Sequence, residues 1–163
     1  MARIGLGGGC HWCTEGVFQS LRGVVQVDQG FLRSDPPADA WAEGVIVTFA
    51  PAAIPLDILV EVHLRTHSGA SGYSPGGRYR SAVYWFAEDQ AARAETTIAR
   101  IAADSGTRMQ TAVLRFAGFD PSPERYRDYY RTDPNRPFCR RYIDPKLAVI
   151  RRDFAAFALP DTG

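Results

Sequence analysis

The chain has 163 residues, 45% of them hydrophobic and 23% charged, and its formal net charge is +1. A chain of this length can bury a substantial core, and this composition excludes the disordered and fibrous classes. A charge so close to zero gives no electrostatic reason to expect nucleic acid or a membrane surface as a partner. We therefore expect one domain over residues 1–163, with a tail rich in Pro and Arg from about residue 132.

The N-terminal region carries no recognisable targeting segment. Residues 1–30 lack the basic start and apolar run of a signal peptide, and no stretch reaches the roughly 18 apolar residues of a membrane span. We therefore predict a cytoplasmic protein. Thiols are kept reduced in that compartment, so the three cysteines indicate catalysis, metal binding or inert burial rather than a framework of structural disulfides.

The first half of the chain shows strand and helix patterns in alternation. Hydrophobic periodicity and the positions of Gly and Pro define these elements. In chain order they are a strand over residues 3–8, a helix over 14–21, strands over 24–31 and 41–49, and a helix over 56–66.

The second half begins with a glycine-rich loop over residues 68–77. The elements predicted after it are a strand over 79–86, a helix over 88–103, a strand over 111–116, a short helix over 122–131 and a last helix over 147–158. Without the last helix, the order β-α-β-β-α-β-α-β-α is typical of an α+β fold. We predict a two-layer sandwich in which helices pack against a mixed sheet, with the split βαβ arrangement of ferredoxin-like folds.

Two of the three cysteines lie in residues 7–13, GGGCHWC, between the first strand and the first helix. The glycines permit positive-φ backbone and the close approach of a ligand. Cys10 then lies at or next to a helix N-terminus, where unpaired amides and the helix dipole favour an anion, so we expect the pKa of its thiol to fall. Cys10 is therefore a candidate nucleophile, and Cys13, one turn further on, could form a disulfide with it.

Inert burial and zinc binding are the other roles open to a C-x-x-C pair. A structural zinc site needs four ligands, usually supplied as two pairs. Here the second pair is missing, since only Cys139 and scattered histidines remain. The ligand count therefore disfavours zinc, and we predict no metal and no cofactor.

Residues 9–15, GCHWCTE, resemble the G-C-F-W-G-x-E signature of the peptide methionine sulfoxide reductase A family, and residues 79–84, YRSAVY, are very similar to that family's Y-R-S-A-I-Y. Four weaker matches follow the family's order: residues 42–45 (AEGV) against H-A-E-x-V, His67 against a histidine after the second helix, residues 123–130 (PERYRDYY) against A-E-x-Y-H-Q-x-Y, and Cys139 against a late cysteine. The chain, from about Ile4 to Cys139, is thus identified as a divergent member of this family.

The resemblance implies an oxidoreductase, a peptide-methionine (S)-S-oxide reductase that returns methionine-S-sulfoxide, free or in proteins, to methionine and so repairs oxidative damage. In this chemistry a cysteine thiolate attacks the sulfoxide sulfur and becomes a sulfenic acid. A second thiol condenses with it to an intramolecular disulfide, and thioredoxin restores the dithiol. The expected partners are therefore a methionine sulfoxide substrate and thioredoxin as reductant.

The resemblance also implies a role for individual residues. Cys10 is the nucleophile, and Trp12 walls an apolar pocket for the methyl group of the substrate. Glu43 lies among apolar neighbours on one face of a strand and gives a proton to the sulfoxide oxygen. Tyr79 donates a hydrogen bond to the same oxygen. Plain packing stays open for Trp12 and Tyr79, as does a solvent-facing position for Glu43.

The chain departs from the family pattern at four places. His11 stands where the family has phenylalanine, which puts a titratable ring into the substrate pocket, and Cys13 replaces a glycine. The loop before Glu43 is shorter than usual and lacks the segment with a second substrate-binding tyrosine. Residues 72–76, GYSPG, stand in place of G-N-D-x-G, and Tyr73 could supply the missing hydroxyl there.

The identity of the resolving thiol stays open between Cys13 and Cys139. We favour Cys13, since a pair at a helix start needs no movement of the tail, whereas Cys139 lies in a proline-rich segment that could swing in. A relay from Cys13 to Cys139 is a third route. The alternative function is a thiol–disulfide oxidoreductase that uses Cys10 and Cys13 and has lost sulfoxide activity.

Overall fold

A computed structural model describes residues 1–67 and 76–160 of the chain. Six strands of this part form one sheet: β1 (Ala2–Gly7), β2 (Val24–Arg33), β3 (Ala42–Phe49), β4 (Ala82–Trp85), β5 (Ala112–Arg115) and β6 (Gly118–Pro121). The helices are α1 (His11–Gln19), α2 (Leu56–Thr66), α3 (Glu88–Ser105), α4 (Tyr129–Thr132) and α5 (Asp144–Asp153). A π-helical segment, Cys139–Ile143, leads directly into α5, where Pro145, which has no backbone N–H of its own, stands in the first turn.

The sheet has the strand order β5-β4-β1-β3-β2-β6. The pairs β1–β3, β1–β4, β2–β3 and β2–β6 are antiparallel, and β4–β5 is parallel. The sheet is therefore mixed, and the fold is of the α+β class that the sequence predicts. Because β1 and β3 are central, the segment that follows β1 and the start of β3 lie next to each other at one end of the sheet.

One face of the sheet packs against helices to form the main core. Buried side chains of β1 and β3, such as Ile4 and Val45, meet apolar residues of α1, α2, α3 and α5, such as Phe18 and Leu59. The alternation of side chains along a strand explains why successive residues of β3 point to opposite faces. Ile46, for example, belongs to a smaller cluster with Leu32 on the other face. Among the residues described, no helix is long and apolar enough to cross a membrane.

Several predicted boundaries are wrong in instructive ways. The strand predicted over residues 79–86 begins only at Ala82. Residues 78–79 form a turn instead, and the backbone N–H of Arg80 donates to the carbonyl of Gly77 across it. The helix predicted over residues 122–131 is a 3-10 turn, Glu124–Tyr126, followed by the short α4. Asp128 separates the two with a φ of 53°, a left-handed conformation that interrupts a helix. Strand β6 was absent from the sequence prediction.

The first helix begins three residues earlier than its hydrophobic pattern predicts, at His11. The glycines before it explain this start, because Gly8 and Gly9 have φ values of 147° and 73°, which side-chain-bearing residues rarely adopt. A Cβ atom at Gly8 would also lie 2.6 Å from the ring of His67. The chain can therefore turn sharply from β1 into α1 only with glycine there, and Cys13 is consequently inside the helix.

Candidate active site

Cys10 caps the N-terminus of α1, as the sequence predicts. Its carbonyl oxygen accepts hydrogen bonds from the backbone N–H of Cys13 at 3.1 Å and of Thr14 at 3.3 Å. Its side chain is partly exposed, whereas those of Cys13 and Cys139 are buried. Of the three thiols, therefore, Cys10 is the one that an external molecule can reach.

The environment of Cys10 favours the thiolate. The pKa of its thiol falls from the ordinary 9.0 to about 5, chiefly because the thiol of Cys13 donates a hydrogen bond to it. Partial burial and the charge of Glu43 act in the opposite direction, while the His11 side chain and the backbone N–H of Trp12 lower the pKa further. Cys10 is therefore an anion at neutral pH, which is the reactive form of a cysteine.

Cys13 is held in the protonated form. Its pKa lies well above the ordinary value, first because its S–H donates a hydrogen bond to the Cys10 thiolate and then because it is buried. The two residues thus form one hydrogen-bonded pair, in which one sulfur is the nucleophile and the other retains a proton. This division is the one that a C-x-x-C motif at a helix start makes possible.

Cys139 lies close to this pair. It is completely buried in the π-helical segment Cys139–Ile143 and shares an apolar cluster with Cys13, against which Cys10 also packs. Burial is the main cause that raises the pKa of its thiol. Its Sγ donates to the backbone oxygen of Asp133 at 3.6 Å. The late cysteine is therefore part of the packed interior beside α1 in this structure.

The Glu43 carboxyl is buried beside Cys10, with 2% of the residue exposed. Its Oε1 accepts a hydrogen bond from the backbone N–H of His11 at 3.2 Å, and its Oε2 accepts one from Nε of Arg78. The backbone N–H of Glu43 in turn donates to the carbonyl of Arg78 at 2.8 Å. A charged residue buried this deeply requires such partners. The solvent-facing alternative for Glu43 is therefore wrong.

The His11 ring is buried between the nucleophile and Glu43. Its Nδ1 lies 3.3 Å from Oε1 of Glu43 but has no hydrogen-bond partner of good geometry among the described residues. Its Nε2 lies 3.5 Å from Oγ of Ser122, and its ring meets that of Phe31 edge to face at 5.6 Å. The imidazole that stands where the family has phenylalanine is thus buried among Glu43, Ser122 and Phe31.

Trp12, two residues after Cys10, belongs to an aromatic cluster. Its ring stacks on that of Tyr129 at 4.1 Å between centroids and 5° between planes, and it meets Phe138 edge to face at 5.5 Å. Tyr126 lies 6.2 Å from Trp12. Flat apolar surface of this kind suits a thioether or a methyl group.

The structure does not confirm a role in substrate binding for either of the two predicted tyrosines, Tyr79 and Tyr73. Tyr79 lies in the turn before β4 and is 55% exposed, with its ring 5.7 Å from the guanidinium carbon of Arg78. It therefore stands at the rim of the site, and its role toward the sulfoxide oxygen stays a prediction. Tyr73 lies outside the residues that the structure describes.

Two residues at the site went unnoticed in the sequence analysis. Arg78 pairs with Glu43, and Glu15 accepts hydrogen bonds from the backbone N–H groups of Asp128 at 2.9 Å and Tyr129 at 3.1 Å. Burial is the main cause that raises the pKa of Glu15. The available signal for Glu15 was its position in the first quoted motif, one helical turn after residue 11. The signal for Arg78 was weaker, a basic residue beside Tyr79.

His67 lies behind the nucleophile, directly after α2. Its Nε2 lies 2.9 Å from Oγ of Ser81, and its Nδ1 contacts the carbonyl of His63. Burial lowers the pKa of His67 to about 4, so the ring is neutral at physiological pH. His67, the histidine that matches the family pattern, thus packs closely against Gly8 in the turn between β1 and α1.

Three side chains of the site could together hold a metal ion. The ligand atoms of Cys10, His11 and Glu43 all lie within 4.8 Å of one another. A search of the sequence for ligand pairs at zinc-site spacing does not reveal this set, because Glu43 lies more than thirty residues further on in the chain.

Comparison with known proteins gives one consistent family. The family model for peptide methionine sulfoxide reductase matches residues 2–157. The peptide methionine sulfoxide reductase MsrA of Sulfolobus acidocaldarius is 32% identical over 91% of this chain and 93% of that protein.

Solved structures agree in fold. Methionine sulfoxide reductase A of Corynebacterium diphtheriae is 26% identical, with a TM-score of 0.67 over 82% of this chain and 75% of that one. Mxr1 from Saccharomyces cerevisiae, in complex with Trx2, is 18% identical, with a TM-score of 0.63 over 75% and 81% of the two chains. The chain therefore belongs to the peptide methionine sulfoxide reductase family of oxidoreductases.

Proposed function

We propose that this enzyme reduces methionine-S-sulfoxide, free or in proteins, to methionine, with Cys10 as the nucleophile. The observation that carries the proposal is the state of this residue: a partly exposed thiol at the start of α1, with a pKa of about 5 and a protonated thiol hydrogen-bonded to it. An ionised, accessible sulfur beside a second thiol is what sulfoxide reduction through a sulfenic acid requires.

In the first step the Cys10 thiolate attacks the sulfoxide sulfur, and a proton from solvent passes through Glu43 to the sulfoxide oxygen. The sulfur–oxygen bond of the substrate breaks, the oxygen passes to Cys10, and the products are methionine and a Cys10 sulfenic acid. Two electrons have then moved from the cysteine to the substrate. Glu43 is suited to this task because it is buried next to Cys10 and held by Arg78 and the backbone of His11.

The substrate's methyl group packs against the stacked rings of Trp12 and Tyr129 in this proposal. Parallel rings 4.1 Å apart present a rigid apolar edge. His11 forms the inner wall, where its polarity makes the pocket less apolar than a phenylalanine would. Tyr79 at the rim and Tyr73 would complete the hydrogen bonds to the substrate.

In the second step the Cys13 thiol attacks the sulfenic acid, forms the Cys10–Cys13 disulfide and releases water. Cys13 is favoured because it already donates a hydrogen bond to Cys10, so the two sulfur atoms meet without a change of fold. Cys139 is the second acceptor, since its sulfur lies in the same apolar cluster. A Cys13–Cys139 exchange would move the disulfide along this cluster.

Thioredoxin is the proposed reductant of the disulfide. The yeast protein that shares this fold is described in complex with Trx2, and a dithiol protein supplies the two electrons and two protons that the exchange needs.

We further propose that residues 1–163 form one domain, and that β1, α1, β2, β3, α2 and β4 form the split βαβ unit of ferredoxin-like folds, which is consistent with the order β4-β1-β3-β2.

Turnover of the two epimers of a methionine sulfoxide substrate, with dithiothreitol as reductant, tests the reaction. We expect the S epimer to be consumed and the R epimer to remain, and a Cys10→Ser variant to be inactive. A folded wild-type chain that consumes neither epimer contradicts the proposed function.

The resolving thiol is tested by mass spectrometry after one turnover without reductant. We expect a Cys10–Cys13 disulfide in the wild type, and in the Cys13→Ser variant either a Cys10–Cys139 disulfide or a trapped sulfenic acid. If Cys13→Ser gives wild-type yields of a disulfide at the wild-type rate, Cys13 is not the first resolving thiol. The Cys139→Ser variant is the matched control.

The thiol–disulfide oxidoreductase alternative rests on the same hydrogen-bonded pair, Cys10 and Cys13. It predicts that the chain reduces an unrelated protein disulfide, such as those of insulin, and leaves both sulfoxide epimers intact. Sulfoxide turnover without insulin reduction would exclude it.

A further inference from the structure

Three side chains of different chemistry converge at the site. Cys10 offers a sulfur, His11 a ring nitrogen and Glu43 a carboxylate oxygen, and these ligand atoms all lie within 4.8 Å of one another. Cys10 and His11 come from the start of α1, and Glu43 comes from β3 in the centre of the sheet. Rigid elements thus hold all three, so no loop has to close to bring the donors together.

The His11 ring gives an independent sign that a ligand fits there. The residue is 7% exposed, and its Nδ1 makes no hydrogen bond of good geometry within residues 1–67 and 76–160. A buried ring nitrogen in this state is costly, and its lone pair can bind a metal ion when the ring carries its proton on Nε2. This nitrogen lies 3.3 Å from Oε1 of Glu43, a separation that neighbouring ligands of one tetrahedral ion adopt.

We propose that Cys10, His11 and Glu43 form a binding site for a thiophilic divalent cation of the Zn²⁺ type. A thiolate, an imidazole and a carboxylate are the three donors that zinc accepts, and three protein ligands leave a fourth position for water. A cation bound to Cys10 holds the sulfur's electron pair, so the bound form of the enzyme cannot attack a sulfoxide. The cation is therefore a reversible inhibitor of the proposed reaction and not its cofactor.

Arg78 and Cys13 set the conditions of binding. Arg78 pairs with Oε2 of Glu43, whereas His11 lies at Oε1, so the guanidinium does not occupy the oxygen that the cation would use. The side chain of Arg78 is 65% exposed and can turn into solvent as a second positive charge arrives. Cys13, in contrast, has to turn its S–H away from Cys10 when a cation binds there. A cation held by the sulfur atoms of Cys10 and Cys13 is therefore the arrangement that competes with the proposed site.

The test is a titration of the whole chain with Zn²⁺, with a phosphine reductant present to keep the thiols reduced. Competition with a chromophoric chelator then gives the affinity. We expect one Zn²⁺ per chain in the wild type and no binding at this site in Cys10→Ser. His11→Phe should weaken the affinity by at least about tenfold, since a lost ligand costs no less than a lost outer-shell partner. Cys139→Ser, a buried thiol outside the set, should leave the affinity unchanged.

Cobalt gives a second readout that does not depend on affinity. Co²⁺ bound to Cys10 should show a thiolate-to-metal charge-transfer band, which is lost in Cys10→Ser and kept in Cys13→Ser. No stoichiometric binding to the wild type, an unchanged affinity in folded His11→Phe, or loss of the band in Cys13→Ser would each overturn the proposal. Because binding is read without substrate, a chain that binds Zn²⁺ but reduces no sulfoxide contradicts only the proposed function.

Discussion

At the scale of single residues, the ionisation of Cys10 is the property from which its reactivity follows. Because its pKa is about 5 in place of 9.0, the thiolate fraction rises as the pH increases through about 5 and is complete at neutral pH. We therefore expect the rate of alkylation by iodoacetamide to rise with pH around a midpoint near 5 and then to level off. The other two thiols contribute little, since both are buried and have raised pKa values.

The same titration separates the causes of this shift. Cys13→Ala removes the largest one, the hydrogen bond from the neighbouring thiol, so the midpoint should move upward toward that of an ordinary cysteine. Cys139→Ala should leave the midpoint where it is. A wild-type midpoint near 9 would show that Cys10 is an ordinary thiol.

Glu43 is the residue that we propose relays a proton to the sulfoxide oxygen. Glu43→Gln keeps the size of the side chain but removes the group that can accept and release a proton, so kcat for sulfoxide reduction should fall by about 10²-fold or more. The measurement is steady-state turnover with dithiothreitol. Glu61→Gln is the control, because Glu61 lies on α2 and pairs with Arg100 instead of facing Cys10, and it should leave kcat close to wild type. A fall in KM alone, without a change in kcat, would contradict proton transfer by Glu43.

At the scale of secondary structure, elements with a long periodic pattern could be predicted and those fixed by tertiary contacts could not. The helix over 88–103 agrees closely with α3, Glu88–Ser105, because its pattern is strong and its N-terminal turn is acidic. The segment around Asp128 has helical propensity, yet it forms two short pieces. The backbone N–H groups of Asp128 and Tyr129 donate to the carboxylate of Glu15 instead of to a helical carbonyl, and Glu15 lies more than one hundred residues earlier in the chain.

That contact makes Glu15 the link between α1 and α4. Its buried carboxylate accepts hydrogen bonds from the backbone N–H groups of Asp128 and Tyr129 and from the side-chain amide of Gln29 at 3.0 Å. Glu15→Ala leaves these donors unsatisfied, so the free energy of unfolding should fall by about 3 kcal/mol in urea denaturation. Gln19→Ala, which removes one exposed bond to Asp128, should cost much less. Equal losses in the two variants would show that Glu15 is not the link.

At the scale of the whole molecule, the site is assembled from segments far apart in the chain. Cys10 and Cys13 could be predicted from the sequence, since the glycine run and the helix start are local signals. The partners of Glu43 could not be predicted, because Arg78 meets Glu43 only when the folded sheet brings the turn before β4 next to β3. For the same reason the burial of Cys139 beside α1 was missed, since a proline-rich stretch predicts an exposed tail.

Arg80 shows how the second quoted motif serves the whole sheet. It is 1% exposed, and its guanidinium donates to the hydroxyl of Tyr84 on β4 at 3.0 Å, to the carbonyl of Leu32 on β2 at 3.2 Å and to that of Ala40 before β3 at 3.0 Å. One side chain thus joins strands that are separated in the sheet by β1 and β3. An arginine with several fixed donors suits this task better than a lysine.

Arg80→Ala should therefore destabilise the whole fold and not only the active site. It leaves three acceptors without this donor, two of them buried, and opens a space the size of the side chain, so the free energy of unfolding should fall by about 3 kcal/mol or more in urea. Arg80→Lys should recover only part of this loss, because an ammonium cannot reach all three acceptors. Arg93→Ala, which breaks an exposed pair with Asp57, is the control and should cost far less. A loss of activity in Arg80→Ala at unchanged stability would instead place Arg80 in the chemistry of the site.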